Sequence, residues 1–367
     1  MPTGRVYFTV FAGRRRYLAV LMAYVKPLVR ERTIDVVHLW DYSRVPADRE
    51  YVRGLHDPSK GIEVVKPPAS DAGARFPNKW KGYYAHYAAA LGPDDFLVKC
   101  DDDVVFISNL HALLTLARQD GGAHLMYYPS VVNNDVSASF QAADGVITDP
   151  EFVVGMRASR EEGRFSRTPI SDWYNCTHCA EHVHSKFLER PEAFFTGCVH
   201  EWRTASRVPI NFFVLGGRAV QTHFGAYASE QFVDEPYLTA LLTERTRLPS
   251  LIASDTVVVH FSFGFQHMAE ERALLERYRA LAKQGPLHER LRRQYGQRPL
   301  SRTCPEAPPA ALLQGRRNLT VNDRPPSGRG GGGNGSGGGR GGKAGGGGGA
   351  KGGGGARGRP ASAPGLA

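Results

Sequence analysis

The sequence predicts an α/β fold in which helices cover both faces of a mostly parallel sheet. Three observations carry that expectation. Apolar runs of strand length alternate with segments of helical periodicity from Val6 to Tyr128. The runs are mostly apolar rather than apolar at every second position, as expected of parallel strands buried on both faces. Polar and charged residues follow them directly, and ligands of such sheets bind beyond the carboxyl ends of the strands.

Val6 to Phe11 is the first such run, followed by the loop Gly13 to Arg16. Leu18, Leu21, Met22, Val25, Leu28 and Val29 then fall at helical spacing and form an inward stripe. Ile34 to Trp40 returns as a strand and closes a β-α-β unit, with Ile62 to Val65 as a short third strand. A helix is expected over Gly82 to Leu91, a strand from Phe96, a helix over Asn109 to Arg118 and a strand over His124 to Tyr128. Further on, Ile210 to Leu215 reads as a buried strand ending in Gly216-Gly217, a pair that either lets backbone approach a ligand or makes a turn. Phe232 to Leu238 opens a helix, with Asp234 suited to the N-cap and Pro236 to the first turn. Thr256 to Phe263 is the last strand. Asp144 to Arg207 carries no legible pattern.

The segment Lys99-Cys100-Asp101-Asp102-Asp103-Val104-Val105-Phe106-Ile107 sets three carboxylates between apolar stretches. Like charges so placed repel one another unless a cation sits among them. Alternation along an extended chain turns Asp101 and Asp103 one way and Asp102 the other, so one pair can converge on a single ion. A hard ion such as Mg²⁺ or Mn²⁺, held by one or two carboxylates, keeps positions open for the oxygens of a diphosphate. The alternative is a solvated turn after a buried strand.

Composition narrows the function classes. Of the formal charge of +10 over 367 residues, +8 belongs to the stretch from Gly315, where nine Lys and Arg face Asp323 alone. The rest is close to neutral, so the core shows no basic face for a specific nucleic-acid partner. The glycine-rich end buries almost nothing and is expected to be a disordered basic tail, placed at 304–367. Its Arg-Gly steps lack aromatics for base stacking. No run of about 18 apolar residues suggests a transmembrane segment. The chain therefore reads as soluble, or as lacking an upstream anchor. Asn175, Asn318 and Asn334 begin glycosylation sequons that are usable only in a secretory lumen.

The acid triplet closely resembles the D-x-D segment of GT-A-fold glycosyltransferases, and locally that of β1,3-hexosyltransferases. That resemblance spans about residues 5 to 283 and implies a GT-A, Rossmann-like domain over 1–303. Residues 1–143 would bind a nucleotide sugar, and 144–303 would hold the acceptor and the catalytic acid. It implies Mn²⁺ or Mg²⁺ on Asp101 and Asp103, with His260 as a third ligand. Taken alone, that histidine inside an apolar strand reads as a core residue. Donor contacts would come from Arg14, Arg15 and Arg16 in the first loop, Asp41 after the second strand, Asp101, and Gly216 with Gly217. The family's acid pair that opens a helix is matched by Asp234-Glu235 with the two acids reversed, which makes Glu235 the base and Asp234 its competitor. The implied reaction moves a sugar from a nucleotide-diphosphate donor to a hydroxyl of a glycan, glycolipid or glycoprotein, with inversion. An anchor upstream would put it in the Golgi lumen.

Two other readings stay open. Asp101-x-Asp103-x-Val105 after an apolar strand also fits the nucleophile motif of HAD-type phosphatases, although a whole β-α-β unit precedes it here. A catalytically inactive nucleotide-sugar-binding module is the other. Separately, Cys176, Cys179, His182, His184, Cys198 and His200 offer soft ligands for zinc, but Cys198-x-His200 makes a poor second pair. A disulfide such as Cys176 with Cys198 is an alternative, and free thiols are the default reading. Trp173, Tyr174 and Trp202 either stack on sugars or pack in the core.

Overall fold

A computed structural model describes residues 4–72, 80–148, 177–202, 208–229, 233–261, 268–284 and Cys304. The basic tail beyond Cys304, the three sequons, Cys176, Trp173 and Tyr174 lie outside the described residues. Among the described residues nine strands form one sheet: β1 (Val6–Ala12), β2 (Val36–Asp41), β3 (Ile62–Val65), β4 (Phe96–Asp101), β5 (Val104–Ser108), β6 (Tyr127–Val132), β7 (Val199–Trp202), β8 (Phe212–Gly216) and β9 (Ser250–His260). Their order is β3-β2-β1-β4-β8-β6-β9-β5, with β7 also paired to β9.

From β3 to β4 the strands run parallel, as crossover helices require. β8 enters antiparallel between β4 and β6, and β5 and β7 run antiparallel to β9, while β6 and β9 are parallel. The sheet also curls. Asp101 and Val104 end β4 and begin β5, so three residues of chain hold them within about 11 Å. A flat sheet in this order would put the two strands about 19 Å apart.

Ten helices among the described residues cover the sheet: α1 (Arg15–Arg30), α2 (Pro46–Arg53), α3 (Ala69–Ala72), α4 (Lys81–Ala90), α5 (Leu110–Gln119), α6 (Asp135–Ala143), α7 (Thr177–Glu189), α8 (Gly217–Ser229), α9 and α10 (Glu271–Lys283). α9 begins with Asp234–Pro236, widens into a π-helical turn at Tyr237–Leu241 and ends with Leu242–Thr246. Strand alternation separates two cores. Val6, Phe8 and Val10 of β1 and Val98 and Cys100 of β4 join Leu18, Leu21 and Val25 of α1, with Leu113 of α5 and Tyr278 of α10. Leu97 of β4 faces the other way, with Tyr83, Tyr84 and Tyr87 of α4, Phe224 and Tyr227 of α8 and Leu238 of α9. Each fully buried Phe or Val stabilises the fold by about 1.5–3 kcal/mol.

The second core is aromatic, and several of its polar tips are paired. Tyr83 Oη lies 2.7 Å from Thr9 Oγ1, and Tyr87 Oη accepts from Trp40 Nε1 at 2.9 Å. Unpaired, such buried hydroxyls would cost about 1–3 kcal/mol each. Trp202 belongs to this core at 3% exposed, which removes it as a sugar platform.

Several expectations are corrected. β6 starts at Tyr127 because Asp120 holds the chain before it, accepting from His124 N at 2.9 Å and from Tyr127 Oη at 2.6 Å. β9 starts at Ser250, pairing with β7 before the expected strand begins. The N-cap of α9 is Val233, so Asp234 lies inside the first turn. Cys198 pairs with Cys304 rather than with Cys176, and Cys179 is also disulfide-bonded; Cys100 is a buried free thiol. Cys304 therefore belongs with the folded chain.

Gly216 and Gly217 sit at the wrong end of the sheet for a ligand. Antiparallel pairing sets Gly216 opposite Phe96, five residues and about 17 Å along β4 from Asp101. Gly217 is there for packing: its N–H reaches Asp95 O at 2.7 Å, and a Cβ on it would stand 1.9 Å from Gly92 O. Gly217→Ala is therefore expected to destabilise the protein by about 1–3 kcal/mol in a denaturant melt without touching the site chemistry.

Candidate metal centre

The acid triplet occupies a tight turn. β4 ends at Asp101, β5 starts at Val104, and Phe261 N closes the turn onto Asp103 O at 2.8 Å. That bond draws the end of β9 against the acids. Asp101, Asp103 and His260 each bring one ligand atom within 4.8 Å of the others, and His260 Nε2 lies 3.1 Å from Asp103 Oδ1. Two carboxylates and an imidazole make a donor set suited to Mn²⁺ and tolerable for Mg²⁺.

Asp102 stands outside the group of candidate ligands and fastens the first loop. Its carboxylate accepts from Gly13 N at 2.8 Å, Arg14 N at 2.6 Å and Arg14 Nε at 2.9 Å. Arg14 Nη2 also pairs with Asp102 and stands 3.0 Å from Asp103 Oδ2. Burial works against both charges. It pushes the Asp102 carboxyl up against the pull of Arg14, whereas the two aspartates hold the guanidinium above its ordinary range. Arg14 remains 45% exposed, so its outer face is open to a further anion.

The other two arginines diverge because both lie in the first turn of α1. Arg15 N bonds Asp48 at 3.2 Å and its guanidinium covers the Tyr51 ring, while Arg16 pairs with Glu271 at 2.9 Å. Neither joins the acids. Asp41 ends β2 beside Ala12 while Asp101 lies beside Phe11, so both stand at the carboxyl edge on opposite sides of β1. Asp41 faces Arg53 at 3.8 Å and Arg49 at 4.0 Å and accepts from Ser43 N at 3.2 Å.

Lys99 and Asn211 escaped the sequence reading. The Lys99 ammonium is 2% exposed; it pairs with Asp101 Oδ1 and donates to Ile210 O at 2.6 Å. Asn211 Nδ2 lies 3.3 Å from both Asp101 Oδ2 and His260 Nε2, bridging two of the candidate ligands. Beside them stands an aromatic wall, with the Phe11 ring stacked on Trp80 at 5.0 Å and Trp80 edge-on to Tyr42 at 4.6 Å. A lysine two residues before an acid on a strand was a usable signal, since both share one face. Nothing local marks Asn211.

Asp234 is buried, accepts from Tyr84 Oη at 2.9 Å, and feels the Lys99 charge. Burial raises its carboxyl above the ordinary range despite Lys99. Glu235 is only partly buried. His184 belongs to the core: its ring nitrogens meet Tyr278 Oη at 2.8 Å and Phe261 O at 2.9 Å, and burial lowers its pKa to about 4.

No family model matches this chain, and no curated protein sequence does. Several solved structures resemble it. The galactosyltransferase LgtC, in complex with donor and acceptor sugar analogues, is 13% identical over 79% of this chain and 99% of its own, with a TM-score of 0.39. An active-site mutant of LgtC is 13% identical over 78% and 99%, with a TM-score of 0.37. A mycobacterial protein is 13% identical over 76% and 73%, also with a TM-score of 0.37.

Proposed function

We propose that this chain is a metal-dependent glycosyltransferase of the GT-A kind, which transfers a sugar from a nucleotide-diphosphate donor to an acceptor hydroxyl with inversion. The observation that supports it is the convergence of Asp101, Asp103 and His260 at the carboxyl edge of the sheet, with Arg14 against them. Asp101, Asp103 and His260 would hold Mn²⁺ or Mg²⁺, which when bound supplies Lewis-acid stabilisation for the charge on a departing diphosphate. Arg14, fixed on its inner side by Asp102, presents its exposed side to phosphate oxygens. Lys99 and Asn211 hold Asp101 in one orientation, so its carboxylate does not reorganise as the substrate arrives. The cluster of Phe11, Tyr42 and Trp80 gives an apolar surface for the donor, with Asp41 beyond it to accept from a donor hydroxyl.

Glu235 removes the proton from the acceptor hydroxyl as general base. Of the two acids it is the one less buried, while Asp234 is fastened to Tyr84 and to the Glu235 backbone N–H at 3.0 Å. A single base acting opposite the leaving group gives inversion. The acceptor is a glycan, glycolipid or glycoprotein.

The experiment is a panel of nucleotide sugars incubated with Mn²⁺ or Mg²⁺, with nucleotide release followed with and without candidate acceptors. Release is expected for one donor class, rising with acceptor and abolished by a chelator. Phosphate release from simple esters instead would favour a HAD-type phosphatase. Saturable nucleotide binding without turnover would favour an inactive binding module.

A further inference from the structure

We infer that the Cys198–Cys304 pair, once reduced, forms a zinc site with His200 and Asp144, separate from the metal centre described above. Cys198 immediately precedes β7 and His200 lies two residues on, so both share one face of the chain. They are 4% and 3% exposed, whereas Val199 between them is 38% exposed. From the end of α6, Asp144 Oδ1 comes 3.0 Å from His200 Nε2, and Asp144 Oδ2 accepts from Thr196 Oγ1 at 3.0 Å. One ligand atom from each of Asp144, Cys198 and His200 lies within 4.8 Å of the others. Cys304 is joined to Cys198 through the disulfide, with the two Cα atoms 5.4 Å apart.

In the oxidised form the sulfurs are neutral, and the buried carboxylate is answered by His200 and Thr196. Opening the S–S bond changes both the donor count and the charge. A dithiol reductant gives two electrons and two protons to the pair and leaves as its cyclic disulfide, so Cys198 and Cys304 emerge as thiols. Zn²⁺ then displaces both thiol protons. The result is two thiolates, one imidazole and one carboxylate, four donors of the kind and number a tetrahedral zinc takes. Two thiolates beside Asp144 would be costly to bury without a cation, so the ion has a large charge to neutralise. Sulfur donors also select zinc over the Mn²⁺ or Mg²⁺ suited to Asp101, Asp103 and His260.

The two ions would be well separated. β7 pairs with β9 at Val199 opposite Ala253, seven residues before His260, which is roughly 20 Å at strand rise. Disulfide and zinc are thus alternative clasps at the same place, each holding Cys304 beside the start of β7. The ligand set differs from the one the sequence suggests: His184 is committed to Tyr278 and Phe261, and Cys304 supplies the second sulfur.

The test uses the full chain, reduced anaerobically with dithiothreitol, freed of reductant and titrated with Zn²⁺ or Co²⁺. One thiolate-bound Co²⁺ per chain is expected, with sulfur-to-cobalt charge-transfer absorption that Zn²⁺ abolishes. Cys304→Ser should lose that band, and His200→Gln should weaken Co²⁺ binding by about tenfold or more. Cys179→Ser and Asp103→Asn should keep it. Circular dichroism confirms that each variant is folded. Absence of the band in the reduced wild type, or its persistence in Cys304→Ser, overturns the site whether or not the chain transfers sugars.

Discussion

Asp103→Asn will lower turnover by about a thousandfold or more, the cost of losing several kcal/mol of charge stabilisation. The substitution keeps the shape and removes the charge. Burial pushes the Asp103 carboxyl up, but His260 at 3.1 Å and Arg14 at 3.0 Å outweigh it and hold the group well below the usual carboxylate range. It is therefore ionised at any working pH, ready to hold a cation. Its contribution to stability is present above the unfolded carboxylate range and is lost only as pH falls through the depressed folded value. The bond from Phe261 N to Asp103 O is made by backbone, so the turn survives the change. The measurement is steady-state kinetics against Mn²⁺ concentration, with Mn²⁺ binding followed by electron paramagnetic resonance and folding by circular dichroism. A folded variant with wild-type turnover would remove the metal assignment.

Glu235→Gln is expected to reduce kcat by about 10²–10⁴-fold while leaving the KM for donor nearly unchanged, as befits a group that acts on the acceptor proton. Equal losses in both would mark Glu235 as a structural element of α9. Asp234→Asn is the matched comparison, and pH separates the two acids. Burial raises the Asp234 carboxyl, so a base at Asp234 would be active above that raised value and lose activity as pH falls through it. An acid limb in kcat above the ordinary carboxylate range that survives in Glu235→Gln would transfer the role to Asp234.

What the sequence disclosed follows from how local each signal is. β1, α1, β2 and β3 were legible because period and turn chemistry act within a few residues, and the crossovers between them fix parallel strands. Alternation separated Asp102 from its two neighbours, but the chain turns there instead of running straight, and Asp102 and Asp103 both meet Arg14 Nη2. Strand polarity was not legible. An apolar run has no direction, so Gly216-Gly217 looked like a ligand loop until β8 proved antiparallel to β4. Asn211 was hidden for the same reason: its approach to Asp101 depends on that pairing, across a separation no local pattern spans. The pairing of Cys198 with Cys304 was equally remote, since the sequence offered Cys176 as a nearer partner for Cys198.

The candidate ligands come from the turn after β4 and from the far end of β9, with Asn211 of the middle stretch between them. Neither a fragment stopping before the last strand nor one starting after the triplet carries the whole set. An ion bound here would therefore act as a rivet through the first and last thirds of the polypeptide, present only once the chain has closed on itself. Because such a ligand favours the assembled state alone, cation supply would govern how long the molecule lasts as well as how fast it works.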